Sequence, residues 1–263
     1  MAIAPIMTRP ISKRSLGVGA IIARSFSILV RKLPAVLVLG SVPALLPRVF
    51  EAVMFGTDYA QFGYDHVNVS VASYAMTTLF DLALSSFSVA LLVQLAYDAE
   101  LGRRLSPLGY VMRVLKSSVV ILVLTFLSLL AIVLAGVALI VPAVWLAAIL
   151  SAVMPAIVIE GKGFGALWRS VELTRDHRWP IAGLLLVIGL CAFGFQLFGV
   201  VVMMLVLPLL STPVIADVIA MVILSLFVAM SSGLFAAAVA QIYIRLRDIK
   251  QGVIAEDLPT VFE

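Results

Sequence analysis

Three ionisable side chains lie within stretches that are otherwise apolar: Arg48, Asp81 and Asp217. Ionisable groups at membrane depth are costly and usually face the protein interior or a water-filled cavity. Arg48 has three candidate partners, namely Glu51 one helical turn later and the two aspartates. The favoured interpretation is a structural pair or triad that locks three helices together. The alternative is a polar cavity linked to a proton or a cation.

No comparable set of residues points to catalysis. The two histidines, His66 and His177, are expected on opposite sides of the membrane, and Cys191 is the single cysteine. The glycine-rich residues 161–165 lack the Gly-Lys-Ser/Thr ending of a phosphate loop and follow an apolar helix instead of a strand. We therefore expect a non-enzymatic protein with no catalytic residue, no cofactor and no metal site.

The elements that carry these charges are predicted to be transmembrane helices. Hydrophobic residues make up 63% of the chain and charged residues 12%, about half the charged fraction of a soluble domain. A spanning helix needs about 20 apolar residues, and prolines break the two longest apolar stretches. The predicted fold is an all-α integral membrane protein whose six transmembrane helices form three hairpins, at residues 34–54, 71–96, 117–139, 142–159, 180–207 and 214–243.

The distribution of basic residues predicts the orientation. Seventeen of the 18 Lys and Arg residues lie before span 1, between spans 2 and 3, between spans 4 and 5, or after span 6. By the positive-inside rule these segments and both termini are cytoplasmic. The whole chain, 1–263, then forms one membrane domain, with a cytoplasmic or interfacial segment at 1–33, the bundle at 34–243 and a cytoplasmic tail at 244–263.

A short amphipathic helix is predicted at the membrane surface before each hairpin. The predicted apolar faces are Ile22, Phe26, Leu29 and Leu33 in the first helix, Leu108, Val111, Met112 and Leu115 in the second, and Phe164, Leu167, Trp168 and Val171 in the third. Two interpretations stay open: plain connectors whose charges set the topology, or a basic collar that contacts anionic lipid or an acidic partner. The candidate contact residues are Arg24, Arg31, Arg113, Lys116 and Arg169.

Small residues recur on two of the predicted spans. They occupy positions 85, 86, 88 and 90 of span 2, and positions 232, 236 and 240 of span 6, with Gly233 and Ala237 beside them. Faces of this kind let helix backbones approach closely. They favour packing within the chain, with self-association as a second possibility.

The run from Met154 to Ala182 resembles a bacterial membrane family. Its pattern is Pro-x-x-x-x-Glu, a glycine-containing link, Ala-Leu-x-x-Ser-x-x-Leu and a Trp before the next span; the matching positions are Pro155, Glu160, Ala166, Leu167, Ser170, Leu173 and Trp179. The family is the membrane domain found fused to some glycerophosphodiester phosphodiesterases, with its free-standing six-helix relatives. The resemblance implies a six-helix domain of the bacterial inner membrane, structural roles for these positions, and no catalysis, because the catalytic barrel is a separate domain.

The leading functional expectation is a non-enzymatic membrane module that binds lipid or a protein partner, in envelope assembly or lipid homeostasis. The alternative is a small transporter or lipid-handling protein with a polar cavity around Asp81 and Arg48. The expected partners are membrane lipids and a membrane protein or a second copy of the chain, and no nucleic acid. A cavity or lateral groove beside Asp81 would favour the alternative, and a closed bundle the leading expectation.

Overall fold

The computed structural model describes residues 16–55, 70–102, 107–210 and 212–257. Within these ranges every regular element is helical. Two short 3-10 turns, Gly163–Gly165 and Leu207–Leu209, accompany the α-helices. The helices are α1 Val18–Arg31, α2 Leu33–Phe55, α3 Val71–Glu100, α4 Pro107–Lys116, α5 Ser118–Ala138, α6 Ile140–Leu150, α7 Val153–Val158, α8 Ala166–Thr174, α9 Arg178–Val206 and α10 Pro213–Asp257.

Six helices in the described residues are long and apolar enough to cross a membrane, as the sequence predicted for a multi-pass membrane protein. We number these candidate spans 1 to 6: Leu33–Phe55, Val71–Glu100, Ser118–Ala138, Ile140–Val158, Arg178–Leu209 and Val214–Lys250. Pro43 and Pro47 lie inside span 1 without ending it. Residues 1–15 and 258–263 of the predicted terminal segments, and His66 in the predicted outer loop, lie outside the described residues.

Two predicted boundaries differ from the structure. Span 2 continues as helix to Glu100, and α10 continues through the predicted tail to Asp257. The sequence reading ended both spans where charges begin. Charged residues mark the edge of the apolar core, but Arg, Lys and Glu are good helix formers, so the helices extend beyond it.

The helix breaks between spans 3 and 4 at Leu139, whose backbone is extended at φ −165 and ψ 148. Pro142 follows in the first turn of α6, where its missing N–H needs no partner. Span 4 bends again at residues 151–152, between α6 and α7. Ser151 donates its hydroxyl to the carbonyl of Ala148 at 2.8 Å beside this bend.

The last helix forms the centre of the bundle. α10 packs against α1, α2, α3 and α9, and Ala236 and Ala240 on it are fully buried. Two glycines allow the closest approach: a Cβ on Gly40 would lie 2.8 Å from the Cβ of Ala229, and one on Gly233 would overlap Val36. The small-residue face of span 6 is therefore used for packing within the chain.

The α5–α6 pair stands partly away from this centre. The buried residues of α5 are Ile121 and Leu124, both in its first two turns. Its later residues, including Leu130, Leu134 and Val137, are exposed. The pair is thus joined to the bundle at one end, and a space remains between its middle part and span 2.

Candidate functional site

A small polar cavity lies between spans 1, 2 and 6, the three helices in which the sequence predicted intramembrane charges. Its volume is about 180 Å³. Arg48 and Asp81 both line it, and so do four serines; the complete lining is Pro43, Ala44, Arg48, Asp81, Ser85, Ser88, Leu224, Ser225, Val228 and Ser232. Arg48, Asp81 and four serine hydroxyls therefore face one space within the membrane domain.

Helical periodicity explains why these polar groups meet. Asp81, Ser85 and Ser88 are separated by four and three residues on α3, so they share one face. Ser225 and Ser232 are two turns apart on α10. Packing of these helices with α2 brings the three faces together.

The hydroxyl protons of two of these serines are already used. Ser85 donates to the carbonyl of Leu82 at 3.1 Å, and Ser225 donates to the carbonyl of Val222 at 2.8 Å. Each serine oxygen keeps lone pairs that accept hydrogen bonds. These two hydroxyls therefore present acceptors to the cavity.

The three charged residues predicted within the membrane have different surroundings. Arg48 forms an ion pair at 3.5 Å with Glu51 on its own helix, one of the three partners that the sequence allowed. Asp81 has no ion-pair partner within 4 Å in the described part of the chain, although it is close enough to Glu51 to interact electrostatically. Asp217 does not line the cavity. Arg48 and Asp81 thus face one cavity, and the structural pair or triad across helices stays a prediction.

A larger, apolar groove lies on the other side of span 2, between it and the α5–α6 pair. Its volume is about 510 Å³, within the roughly 300–1,000 Å³ typical of ligand sites. Its walls are mostly aliphatic and carry five hydroxyl-bearing residues; the lining is Leu82, Ser85, Ser86, Val89, Thr125, Ser128, Leu129, Ile132, Val144, Ala147, Leu150, Ser151, Val153, Met154, Leu185, Leu186, Phe235 and Val239. The buried hydroxyl oxygen of Ser128 has no hydrogen-bond partner.

The groove opens to the outside of the bundle. Three of its lining residues, Leu129, Leu186 and Phe235, are exposed. In a membrane, side chains of this kind face lipid acyl chains. Ser85 lines both the groove and the polar cavity, so the two spaces adjoin at this residue.

A polar network lies at the opposite end of span 2 from Asp81. Arg169 on α8 binds Glu160 through two nitrogens, at 3.2 and 3.3 Å, and also donates to Glu172 at 3.3 Å. Tyr243 donates its hydroxyl to the same Glu160 carboxylate. Partial burial disfavours the charged form of Glu160 and so raises its pKa. The hydrogen bonds from Tyr243 and Arg169 and the positive charge of Arg169 have the larger combined effect, and they lower the pKa of Glu160 below its usual value.

The structure gives the residues of the Pro155 to Trp179 pattern different surroundings. Ser170 is fully buried and donates to the carbonyl of Ile149 at 2.6 Å. Pro155, Ala166 and Leu173 are buried as well, whereas Trp179 is exposed. The buried residues of the pattern lie on α7 and α8, which pack against each other and against the bundle.

The five candidate lipid-contact residues also separate into two groups. Arg24 forms an ion pair with Glu100 at 3.2 Å, and Arg169 is held by two glutamates. Arg31, Arg113 and Lys116 are exposed, and no ion pair within 4 Å is seen for them among the described residues. The last three are therefore the better placed to meet charged headgroups.

Sequence reasoning missed the apolar groove and the Glu160–Tyr243 contact. The groove depends on how far α5 and α6 stand from span 2, which a hydropathy pattern does not contain. Tyr243 and Glu160 are 83 positions apart. The one available signal was a tyrosine in a helix of small residues. Such a helix is expected to be buried, and a buried tyrosine hydroxyl usually has a hydrogen-bond partner.

Comparison of the chain with protein families, with curated proteins and with solved structures gives no match. The resemblance to the phosphodiesterase-associated membrane domain therefore stays a prediction.

Proposed function

We propose that this chain is a non-enzymatic integral membrane protein that binds a phospholipid, with an acyl chain in the groove between span 2 and the α5–α6 pair. The observation that carries the proposal is the 510 Å³ groove, which has aliphatic walls and exposed apolar residues at its opening. A lipid is the ligand that an opening toward the bilayer can admit directly. Such a protein would serve lipid homeostasis or envelope assembly.

The proposed membrane arrangement follows from the charge distribution. We place the chain in the bacterial inner membrane with both termini cytoplasmic, because its basic residues concentrate at one end of the spans. The spans form three hairpins, and α1, α4 and α8 lie at the cytoplasmic interface. Two of these surface helices support an interfacial position: α4 exposes Leu108, Met112 and Leu115, and α8 exposes Trp168, while their other faces are buried in the bundle.

The polar cavity also bears on the alternative expectation, a small transporter that uses Asp81 and Arg48. A bare cation entering the cavity would meet Asp81 but also the guanidinium of Arg48. A bare anion entering the cavity would be attracted by Arg48 but repelled by Asp81. An amphiphile that occupies both spaces uses the groove and the cavity together, so we favour lipid binding over transport of a small ion.

Lipid retention after purification tests the groove. Ile132 lines it, and the next residue, Val133, is exposed on the same helix and does not. We expect Ile132→Trp to fill the groove and lower the amount of lipid that mass spectrometry finds per protein, and Val133→Trp to leave it unchanged. Equal retention in both variants would overturn the proposal.

A second measurement uses the unaltered protein. A phospholipid with a photoreactive group in its acyl chain should crosslink to the segments that line the groove, around Leu82–Val89, Thr125–Ile132, Val144–Met154, Leu185–Leu186 and Phe235–Val239. Crosslinks spread evenly over all lipid-exposed helices would indicate ordinary annular lipid and would contradict a groove site.

A further inference from the structure

We propose that the polar cavity binds the primary ammonium group of the bound lipid, so that the ligand is an aminophospholipid with an ethanolamine-type headgroup. This inference rests on the proposed function, since it assigns the headgroup of the lipid whose chain fills the groove. Its structural basis is a cavity in which Asp81 lies beside the acceptor hydroxyls of Ser85 and Ser225. Ser85 also lines the groove that holds the acyl chain.

The charges of the site favour an amine. Arg48 is paired with Glu51, whereas Asp81 has no ion pair in the described residues. The three side chains together carry one negative charge when ionised. Asp81 is accessible to a ligand. A carboxylate at membrane depth is costly without an opposite charge close by, and an ammonium group supplies one. Arg48 lines the same cavity, so its positive charge would interact favourably with the phosphate of the same headgroup.

The hydrogen-bonding capacity of the cavity matches a group that only donates. A primary ammonium has three N–H donors and no acceptor. The Asp81 carboxylate accepts, and the hydroxyls of Ser85 and Ser225 accept because their own protons are used by helix carbonyls. The cavity therefore offers three acceptors from two helices to three donors.

The cavity lining also distinguishes a primary from a quaternary ammonium. Quaternary ammonium groups are recognised by the faces of aromatic rings. No aromatic side chain lines this cavity, and Phe80, the residue before Asp81, packs against Phe50 at 5.0 Å between ring centroids. A choline headgroup would place three methyl groups against carboxylate and hydroxyl oxygens and satisfy none of them.

The size of the cavity and its adjacency to the groove at Ser85 suit one molecule that occupies both spaces. The cavity volume of about 180 Å³ equals that of about six water molecules in the liquid, which suits a small headgroup and not a sugar. The groove begins at the same serine that lines the cavity. The lipid would pass beside Ser85, with its headgroup toward Asp81 and one chain toward Ser128.

The test compares phospholipids that have identical acyl chains and differ only in the headgroup. Detergent-purified protein is titrated with ethanolamine, N-monomethyl, N,N-dimethyl, choline and glycerol headgroup lipids, and binding is measured by native mass spectrometry. We expect ethanolamine lipid to bind at least about tenfold more tightly than choline lipid, because the loss of even one charged hydrogen bond has that scale. Affinity should fall stepwise with each methyl group, because each removes a donor.

The matched variants are Asp81→Asn, Asp81→Glu and Asp217→Asn. Asp81→Asn should abolish the ethanolamine preference while total lipid retention persists, because the acyl chain still fills the groove. Asp81→Glu should restore part of the preference. Asp217→Asn should keep it in full, since Asp217 does not line the cavity.

The outcomes separate this inference from the proposed function. Equal affinity for ethanolamine and choline lipids, with binding still sensitive to Ile132→Trp, would overturn the headgroup assignment and leave groove binding in place. Loss of lipid binding by every headgroup would overturn both. Soluble phosphoethanolamine is the last arm: if it stabilises the protein as well as the lipid does, the cavity serves a free amine and the inference is wrong.

Discussion

Tyr243, in the second half of the last helix, donates its hydroxyl to Glu160, which follows the end of span 4 by two residues. Arg169 binds the same carboxylate from α8. Tyr243 also packs against Tyr97 of span 2 with ring centroids 6.3 Å apart, and Tyr97 accepts a hydrogen bond from Arg247 at 3.3 Å. One carboxylate thus joins the end of span 4, α8 and the last helix. The tyrosine that reaches it also contacts span 2.

Removing the Tyr243 hydroxyl should destabilise the fold. Tyr243→Phe keeps the buried ring and leaves one acceptor of Glu160 without its donor, so we expect a loss of about 1.5–3 kcal/mol, the range for a hydrogen bond to a charged group. Tyr97→Phe is the matched control and should cost less, because its bond to Arg247 is long. The measurement is thermal or denaturant unfolding in detergent.

A double-mutant cycle isolates the contact. If Tyr243 and Glu160 interact as described, the losses in Tyr243→Phe and Glu160→Gln should not add in the double variant. Strictly additive losses would show that the hydroxyl and the carboxylate are independent.

The Glu160 contacts also predict a dependence of stability on pH. The pKa of Glu160 is lowered in the folded protein from a reference of 4.5, so its contribution is complete above about 4.5 and is lost as the pH falls through the lower folded value. We expect the difference in melting temperature between wild type and Glu160→Gln to be constant near neutral pH and to shrink toward zero in acid. A difference that grows in acid would contradict the direction of the shift.

Features of the structure could be predicted from the sequence when they depend on residues close together in the chain. Hydropathy located all six spans, and the Gly233 region was expected to pack closely, because both signals lie within one helix. The meeting of Arg48 and Asp81 at one cavity was an alternative that the sequence allowed. The groove and the Glu160–Tyr243 contact depend on the distance between helices far apart in the chain, and no local pattern encodes that distance.

Close packing between spans 1 and 6 gives a third prediction. Gly40→Ala places a methyl group 2.8 Å from the Cβ and 3.0 Å from the Cα of Ala229, so the two helices must separate. We expect a destabilisation of about 1–3 kcal/mol, the usual effect of overpacking. The control is Gly189→Ala on span 5, where the added Cβ meets nothing within 4 Å and the substitution should be neutral or slightly stabilising.

The proposed orientation is testable with single cysteines in a Cys191→Ser background. Cysteines at Ser70 and Thr212 should react with a membrane-impermeant thiol reagent in intact cells, and cysteines at Gly102 and Lys162 should react only after the membrane is opened. All four positions lie at helix ends or in connections. Labelling of the second pair in intact cells would reverse the orientation.

The surface cations give the last prediction. Neutralising Arg31, Arg113 and Lys116 to Gln should lower the enrichment of anionic lipid around the protein, by about 1 kcal/mol per residue near a charged surface. Arg169→Gln should destabilise the fold instead, because it removes a partner of Glu160. Lipid analysis of protein in native membrane discs measures the first effect, and unchanged enrichment in the triple variant would favour plain connectors.

The order of synthesis gives α10 a particular place in biogenesis. This helix is 45 residues long, and it is the common partner of α1, α2, α3 and α9, yet it leaves the ribosome after all of them. Until it is inserted, Gly40 and Val36 on span 1 have no helix to pack against. Nascent chains that stop before Pro213 should therefore stay loosely assembled and be recognised by membrane quality-control proteases, while translation through α10 converts them to a protected state.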